Sequence, residues 1–375
     1  GINDHLAGGF HRYSTDVKWL VPHFEKMLYD QANILESLYY AYLLTPKYLY
    51  ADNINKTTQY LSETLLSPEN GFYSAEDADS DGEEGLFYLW DEKELKDVLK
   101  PDEFQFFKHL YNIDSEGNFL EETTKTVNGK NIIYLKDEFE NFAKTFSLQE
   151  EMIRAEADRI KLKLKTIRDD RQRPSLDDKI LTDWNSMAIS SLSKIARLGY
   201  GDNSLSMALN CNNFLETHMI NDSEILHCYR NGEACIDGML DDYSFYAKSL
   251  IDLYETTLNP EFLIKAYKIC EKMIFYFWDY EEGLFFVSKK NSDDLIVRQK
   301  NLLDGASPCG NSIALYSLSK LAKYFFDKNL EDIANTLSSK LGEMAKKFPI
   351  NLGMFLSNHF LLYDNLDQFV ITSND

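Results

Sequence analysis

Apolar residues recur at helical spacing in four segments of the chain, 30–42, 183–197, 242–255 and 311–325, and this spacing predicts four helices. More highly charged helices are predicted at 148–168 and 329–347. A helix inside a protein is apolar nearly all round, whereas an outer helix has one solvated face. The alternation of the two kinds therefore predicts an inner and an outer ring of helices.

Short aromatic or aliphatic runs with strand character lie between these helices, at 9–13, 71–73, 131–134, 224–229, 283–287 and 353–356. Helical hairpins that repeat about every sixty residues, with strand-bearing loops at one end, predict an all-α fold. We expect an (α/α)6 toroid whose loops carry short β-hairpins and line a single cavity, formed by one domain over residues 1–375. A linear solenoid is the alternative, but it would have more regular repeats.

Charge and cysteine content narrow the class of protein. The net charge of −22 opposes binding to nucleic acid or to an anionic membrane, and there is no run of eighteen apolar residues that would predict a membrane span. The five cysteines have no C-x-x-C spacing, which favours reduced thiols in a cytoplasmic protein. Cys309, in a Ser-Pro-Cys-Gly-Asn turn, is the best candidate for a reactive thiol, with a simple turn residue as the more common alternative.

The segment 8–30 concentrates ionisable and aromatic residues, as the wall of a polar pocket would. His23 and Glu25 are predicted as a catalytic acid/base pair, because a carboxylate can orient an imidazole that titrates near neutral pH. His11, Arg12 and Lys26 are predicted substrate-binding residues. A buried ion network around Lys26 that only fixes the loop to the next helix is the structural alternative.

The acidic loop 76–84 begins like a calcium-binding EF-hand loop, but Tyr88 stands where the bidentate Glu is needed and the flanks, 71–73 and 86–90, have strand character. Asp77 is predicted as a catalytic carboxylate and Asp79 as a sugar contact. Loose calcium binding and a solvated hairpin tip are the alternatives.

Two pairs of adjacent aspartates precede predicted helices, and the second of each pair, Asp178 and Asp242, is predicted to project into the cavity as an acid or base. Helix capping is the default alternative for Asp183 and Asp242. Trp19, Trp90 and Trp184 are predicted to stack on a sugar ring, although a core position is the more common one for a single Trp.

Six motifs occur in order along nearly the whole chain, at 8–14, 21–30, 74–80, 176–185, 240–243 and 307–312. In these motifs the chain resembles the YyaL / spermatogenesis-associated protein 20 family. The resemblance implies a six-hairpin-glycosidase-like toroid, similar to N-acylglucosamine 2-epimerases, usually preceded by a thioredoxin-like domain. Because the chain starts at Gly1 without that domain, we expect a fragment that lacks the first helices. The motifs add Lys179, Asn185, Tyr243 and Asn311 to the predicted sugar-binding residues.

Two classes of function follow. The first is a carbohydrate-active enzyme, either an epimerase or isomerase that transfers protons beside a carbonyl group or a hydrolase with two carboxylates. The second is a ligand-binding or redox-partner module of a thioredoxin-domain protein. Two imidazoles across one cavity would favour epimerisation, and two carboxylates without a nearby His would favour hydrolysis. No cofactor and no metal ion are predicted.

Overall fold

Helices make up most of the regular structure of the computed structural model, which describes residues 1–120, 126–290 and 297–363. The chain divides into two compact units. Unit 1 comprises Gly1–Ser67, Phe72–Asp178 and Tyr200–Asp202, and unit 2 comprises Pro68–Gly71, Lys179–Gly199 and Asn203–Asp375. The single domain over residues 1–375 stays a prediction.

Among the described residues, unit 1 contains six α-helices, a π-helical turn at Leu61–Leu65 and nine short strands. The helices are α1 (Leu28–Leu44), α2 (Tyr48–Tyr60), α3 (Glu92–Val98), α4 (Pro101–Leu110), α5 (Phe139–Phe146) and α6 (Glu150–Asp169). The strands are β1 (Tyr13–Ser14), β2 (Pro22–His23), β3 (Lys26–Met27), β4 (Ala75–Glu76), β5 (Asp79–Ser80), β6 (Glu83–Glu84), β7 (Trp90–Asp91), β8 (Lys130–Asn131) and β9 (Leu176–Asp177). They form the antiparallel sheets β1-β2, β3-β4-β9, β5-β6 and β7-β8.

The core of unit 1 is built around one face of α6. Ile153, Ala157, Ile160 and Leu164 recur every three or four residues and are all buried against Trp90, α4 and α5. The opposite face carries the charged residues that made this segment polar in the sequence. The helix predicted at 148–168 is thereby confirmed.

The described part of unit 2 contains a short 3₁₀ helix, Pro349–Asn351, and seven α-helices: α7 (Thr182–Leu198), α8 (Ser204–His218), α9 (Leu240–Thr257), α10 (Pro260–Phe277), α11 (Gly310–Phe325), α12 (Lys328–Ala345) and α13 (Gly353–Tyr363). Its strands are β10 (Ile180–Leu181), β11 (Ile220–Asn221), β12 (Glu224–Arg230), β13 (Glu233–Asp237), β14 (Trp278–Asp279) and β15 (Leu284–Phe285). Strand β12 pairs antiparallel with β10, β11 and β13.

Helix α9 packs between α7 and α11, and these three helices are buried on nearly every side. By contrast, α8, α10 and α12 bury a single face. The N-terminus of α10 is capped by Asn259 and followed by Pro260, and that of α12 is capped by Asp327. The predicted alternation of buried and solvated helices is confirmed within unit 2.

A fully buried carboxylate joins the three inner helices of unit 2. Asp252 of α9 lies 2.6 Å from Lys194 Nζ of α7 and accepts a hydrogen bond of 3.1 Å from the Tyr316 hydroxyl of α11. Lys248 adds a second ammonium group at 3.2 Å. Removing the Asp252 carboxylate would take away the counter-charge that both buried ammonium groups share, so this residue links α7, α9 and α11.

The strand predictions are correct in part. The run at 224–229 is strand β12, and the runs at 9–13, 131–134 and 283–287 contribute only two-residue strands or single bridges. The run at 71–73 forms one bridge, Leu66 to Phe72, and 86–89 is a turn before β7. The strand at 353–356 is wrong, because these residues begin α13. In the described part of the chain, no helix is both long and apolar enough to cross a bilayer.

Candidate functional site

The predicted site residues are divided between the two units. Unit 1 holds His11, Arg12, Trp19, His23, Glu25, Lys26, Asp77, Asp79, Trp90 and Asp178, and unit 2 holds Lys179, Trp184, Asn185, Asp242, Tyr243 and Asn311. Their convergence on one cavity stays a prediction. The two sets are therefore described separately.

In unit 1, His23 lies between two carboxylates. Its Nε2 is 3.1 Å from Glu25 Oε2 and its Nδ1 is 2.8 Å from Glu84 Oε1. Arg12 Nη1 is 3.1 Å from the same Glu25 oxygen, and its Nε donates to the Tyr29 hydroxyl at 3.0 Å. The structure thus brings together the predicted His23–Glu25 pair and Arg12 and leaves all three partly accessible. Glu84, which belongs to the hairpin tip β5-β6, is the member that sequence reasoning missed.

Asp30 lies in the first turn of α1, beside this cluster. Burial raises the pKa of its carboxyl group to about 7, although Arg12 acts in the opposite direction. Its Oδ2 atom is buried and has no hydrogen-bond partner among the described residues. Asp30 therefore keeps a proton to a higher pH than an ordinary aspartate.

Lys26 and His11 lie in a buried ion network rather than beside His23. Lys26 Nζ is 2.8 Å from Asp4 Oδ2 and donates to the Gly8 carbonyl, and Arg168 binds the same carboxylate at 3.0 Å. Burial alone would raise the pKa of Asp4, but Arg168 and Lys26 hold it well below its usual value. The contacts of Lys26 are those of the structural alternative, a network that fixes the loop.

His11 is buried and neutral. Burial lowers its pKa to about 3, and its Nδ1 lies 2.9 Å from the Phe24 carbonyl oxygen. Its ring also makes edge contacts with Phe24 and Tyr88. These contacts are those of a core histidine, so its predicted sugar contact would require the surrounding rings to move.

The acidic loop forms the tip of a hairpin. Asp79 pairs with Glu84 across a two-residue turn in which Asp81 and Gly82 both have positive φ, 54° and 82°. Asp77 and Asp79 are exposed, and Asp77 accepts hydrogen bonds from Ala78 N and Ser175 Oγ. This geometry is that of a β-turn rather than an EF-hand loop. Their predicted roles stay untested.

The three tryptophans occupy different environments. Trp90 is completely buried in the unit 1 core, where a ligand cannot reach it without unfolding. Trp19 is 61% exposed and has a left-handed backbone with φ 56°. Trp184 is half-buried in the first turn of α7. Trp90 thus has the core position left open as an alternative, while Trp19 and Trp184 stay accessible candidates.

Asp242 is the centre of a polar cluster in unit 2. Its carboxylate is fully buried and accepts backbone hydrogen bonds from Met239 at 2.8 Å and from Asp183 at 3.2 Å. His227 Nδ1 lies 2.9 Å from Asp242 Oδ1. Strand β10 leads directly into α7 and pairs with β12, which is how Asp183 and His227 reach the N-terminus of α9.

The pKa values in this cluster are pushed away from their ordinary values. The hydrogen bond to Asp242 raises the pKa of His227 to about 9, so the imidazole is charged at neutral pH. Burial and the charge of Asp242 raise the pKa of Asp183 to about 8. The same two causes raise the pKa of Asp241 to about 6, although the hydrogen bond from the backbone N–H of Gly310 acts in the opposite direction. At pH 7 the cluster therefore offers two protonated groups, His227 and Asp183, beside the ionised Asp241, the arrangement that acid–base chemistry needs.

Gly310 is required for this arrangement. It begins α11, and a Cβ atom there would collide with Asp241 Oδ1 and lie 2.8 Å from Leu240 Cγ. The helix N-terminus and its free N–H group stabilise the Asp241 carboxylate. We call Asp183, His227, Asp241 and Asp242 the unit 2 acid–base cluster.

Donor atoms of Asp183, His227 and Asp242 all lie within 4.8 Å of one another, and among the described residues no other His, Cys, Asp or Glu group meets this criterion. An Asp₂His set is suited to a divalent cation. However, both Asp242 oxygens already accept hydrogen bonds from the His227 ring or from backbone N–H groups. The lone pairs that a cation would use on Asp242 are thus already engaged in hydrogen bonds.

The other predicted residues of unit 2 are close to this cluster in sequence but have structural contacts. Asn185 donates to the Leu181 carbonyl, and Asn311 exchanges hydrogen bonds with the backbone of Phe285. The Tyr243 hydroxyl accepts from Ile225 N. Asn185, Tyr243 and Asn311 are fully buried, so their predicted sugar contacts would require rearrangement. Lys179 and, in unit 1, Asp178 are half-buried, and their roles stay predictions.

Cys309 is buried at the N-terminus of α11, and burial raises the pKa of its thiol to about 12. Its Sγ atom lies 3.2 Å from Ser312 Oγ. A thiol with so high a pKa contains almost no thiolate at neutral pH. The structure favours a turn residue over a reactive cysteine.

His227, and the catalytic potential of Asp183 and Asp241, were missed by sequence reasoning. The available signal was the position of His227 inside the predicted strand 224–229, where alternation places it on the face opposite to Leu226 and Cys228. The cluster contains one imidazole among carboxylates. Within unit 2, the cluster therefore has neither the two imidazoles that would favour epimerisation nor the pair of carboxylates without a nearby His that would favour hydrolysis.

Comparison with solved structures defines the class of fold. The chain superposes on a sugar epimerase from a ruminal bacterium with a TM-score of 0.56 at 11% identity, covering 90% of this chain and 66% of that one. The cellobiose 2-epimerase of Spirochaeta thermophila gives 0.57 at 9% identity, with 92% and 66% covered. A D-mannose isomerase gives 0.51 at 13% identity, with 88% and 63% covered. The fold is therefore the six-hairpin-glycosidase-like (α/α)6 class, as predicted.

Comparison with known sequences then identifies relatives of the chain. It is 31% identical to human spermatogenesis-associated protein 20 over 399 residues, covering 99% of the chain and 51% of the relative. The mouse protein of the same name is 31% identical over 400 residues, with 99% and 50% covered. The resemblance to the spermatogenesis-associated protein 20 family is confirmed. The chain spans about half the length of these relatives, and no family model matches it.

Proposed function

We propose that the chain is a sugar-converting enzyme of the epimerase or isomerase type, with the unit 2 acid–base cluster as its proton-transfer centre. The observation that carries the proposal is the His227 imidazole held by its Nδ1 against the buried Asp242 carboxylate at 2.9 Å. This contact fixes the ring, and the Nε2–H group of the imidazolium is then the donor for a substrate oxygen.

The class of substrate is supported by the fold. Proteins named as sugar epimerases and a mannose isomerase share it at TM-scores above 0.5. Fold similarity at this level of identity is an analogy, and the chemistry has to come from the residues. The half-buried Trp184, next to Asp183, would provide an aromatic face for a sugar ring.

Three residues account for the proton transfers. The Asp241 carboxylate removes the proton from the carbon next to the sugar carbonyl, and the electron pair moves to the carbonyl oxygen. His227 Nε2–H stabilises the negative charge that develops on this oxygen. For epimerisation, protonated Asp183 returns a proton to the same carbon from the opposite face, and the carbonyl group re-forms. For isomerisation, the proton of the hydroxyl group on the deprotonated carbon moves to the former carbonyl oxygen, Asp183 protonates the former carbonyl carbon, and the new carbonyl group forms on the deprotonated carbon. Exchange with water then restores Asp241 and Asp183 to their starting states.

The predicted catalytic pair of unit 1 is retained in the proposal. His23 is about a quarter exposed and lies between Glu25 and Glu84, and Arg12 presents a partly accessible guanidinium group. Guanidinium and carboxylate groups together bind vicinal sugar hydroxyls well. We propose His23 and Glu25 as an acid–base pair, and Arg12 as a substrate-binding group, within unit 1.

A glycoside hydrolase is the second candidate, and one observation favours it. Asp183 and Asp241 have pKa values of about 8 and about 6, so at pH 7 one carboxyl group is an acid and the other a base. Hydrolysis of a glycosidic bond needs such a pair. A ligand-binding or redox-partner module remains the non-catalytic alternative.

One experiment separates the three possibilities. The protein is incubated in D₂O with aldoses, N-acetylhexosamines and disaccharides, and the sugars are followed by proton NMR. Loss of the C2 proton signal with formation of the epimer or ketose supports the proposal. New reducing ends that keep their C2 proton indicate hydrolysis, and line broadening without conversion indicates binding only.

Variants locate the chemistry. His227→Gln keeps a hydrogen-bond donor for Asp242 but cannot act as an imidazolium, and we expect it to lower C2 exchange at least 100-fold. His109→Gln, on the exposed side of α4, is the matched control and should exchange at the wild-type rate. Wild-type exchange by His227→Gln would overturn the assignment of the site.

A further inference from the structure

The hairpin that carries His227 has a fixed register. Strands β12 and β13 are joined by Asn231 and Gly232, whose φ angles of 54° and 83° define a two-residue turn of the type preferred in β-hairpins. Arg230 pairs with Glu233 directly beside the turn. Because the turn fixes the register, Leu226, Cys228 and Tyr229 of β12 also have set partners on β13.

This register places two cysteines opposite each other, Cys228 on β12 and Cys235 on β13. In an antiparallel hairpin, hydrogen-bonded and non-hydrogen-bonded residue pairs alternate, and the pair next to a two-residue turn is hydrogen-bonded. The two cysteines lie two pairs beyond Arg230 and Glu233, so they also form a hydrogen-bonded pair. The Cα atoms of such a pair are about 5.5 Å apart. Disulfides span Cα distances of about 4.4–6.8 Å. Both side chains also lie on the same face, since residues paired across strands share a face.

We propose that Cys228 and Cys235 form a reversible disulfide, which makes this hairpin a redox modification site. Cβ atoms in a hydrogen-bonded pair are about 5 Å apart, whereas a disulfide requires about 3.8 Å. The bond therefore forms with some strain, and strained disulfides are the more easily reduced ones. A regulatory disulfide needs this property, and a structural one does not.

The exposure of the two thiols sets the order of events. Cys235 is exposed and Cys228 is buried. With glutathione disulfide as oxidant, the Cys235 thiolate attacks one glutathione sulfur, forms a mixed disulfide and releases one glutathione thiolate. The Cys228 thiolate then attacks the Cys235 sulfur, forms the protein disulfide and releases the second glutathione. Two protein thiols are oxidised, one glutathione disulfide is reduced, and the thiol protons go to the two glutathiones.

The site is next to the proposed acid–base centre. His227 directly precedes Cys228, and across the hairpin from it lies Ile236, whose φ of 65° is rare for a β-branched residue. Such local strain marks a segment with a second accessible arrangement. Drawing the strands together at Cys228 changes the 2.9 Å contact between His227 and Asp242. Disulfide formation itself does not depend on the proposed function.

The other three cysteines provide an internal contrast. Cys211, Cys270 and Cys309 are buried, and burial raises the pKa of Cys270 and Cys309. None of the three belongs to a paired strand of the described residues. We expect them to remain thiols under conditions that oxidise the hairpin.

The test is a titration of the whole chain with glutathione disulfide, followed by thiol alkylation and peptide mass mapping. Trypsin cleaves after Arg230, so the disulfide joins two separate peptides. The wild type should lose two alkylatable thiols without gaining glutathione, give the linked peptides, and recover both thiols with excess reduced glutathione. The His227 ring resonances should shift on oxidation.

Two variants make the result decisive. Cys228→Ser removes the attacking thiol of the second step, so glutathione should accumulate on Cys235. Cys235→Ser should acquire neither a disulfide nor glutathione, and its exposed substitution leaves folding unaffected. The proposal is overturned if the wild type also accumulates glutathione on Cys235, or if no thiol of the folded chain is lost.

Discussion

Replacing His227 by Gln tests the charge state on which the proposed centre depends. In the wild type, the imidazole lies 2.9 Å from the fully buried carboxylate of Asp242. Gln retains a hydrogen-bond donor of similar reach but carries no charge. The Asp242 carboxylate then keeps its backbone donors, Met239 and Asp183, and loses its only cation in the cluster.

The magnitude follows from the pKa of His227, which the structure raises from 6.5 to about 9. At about 1.4 kcal/mol per pKa unit, the imidazolium contributes about 3 kcal/mol to the free energy of unfolding. Because the folded pKa lies above the unfolded one, this contribution is fully present below pH 6.5 and is lost as the pH rises through about 9. His227→Gln should therefore be less stable than the wild type by about 3 kcal/mol at pH 6 and nearly equal to it at pH 10.

The assay is urea denaturation of both proteins between pH 5 and 10, monitored by circular dichroism and compared by difference. Asp183 and Asp241 titrate in both proteins, so most of their effect cancels. Asp242→Asn and the double variant complete a mutant cycle, and the coupling between the two residues should fall with pH over the same range. A stability difference that is constant from pH 6 to pH 10 would refute the charged pair.

Two further predictions concern a tightly packed glycine and a buried ion pair. Gly310→Ala should destabilise the chain by about 1–3 kcal/mol because its Cβ collides with Asp241 and Leu240, whereas Gly353→Ala, with open space at that position, should change the denaturation midpoint very little. Lys26→Met should lower the free energy of unfolding by about 3–5 kcal/mol, since it removes one of the two cations that compensate the buried Asp4. Thermal melting should show this loss, whereas the control Lys18→Met, at an exposed position, should change the stability by less than about 0.5 kcal/mol.

Much of the helical framework could be predicted from the sequence because burial leaves a periodic record. In α9, apolar residues surround the helix, and its predicted limits of 242–255 lie inside the observed Leu240–Thr257. The strand prediction at 353–356 is wrong because the segment is too short to show its period. A glycine and three apolar residues are too few to distinguish a strand period from a helical one. The helical period is visible only in Leu352, Phe355 and Asn358, which are buried at every third position.

The candidate site was less accessible to sequence reasoning. Asp242 and the His23–Glu25 pair lie in dense local motifs, so they could be proposed from the sequence. His227 is an ordinary strand residue until β10 and β12 pair and bring it to the N-termini of α7 and α9. Contacts between residues some sixty positions apart, such as Asp183 with Asp242, leave no local signal.

The pH dependence of C2 deuterium exchange tests the central claim most directly, because it reports the ionisation of the proposed base and acid. The rate constant kcat/KM for the best sugar should increase as the pH rises through about 6, where Asp241 ionises. It should decrease as the pH rises through about 8, where Asp183 loses its proton. Asp241→Asn and Asp183→Asn should each lose most of the rate. No exchange with any sugar at any pH, or a profile that is flat from pH 5 to pH 9, would contradict the account.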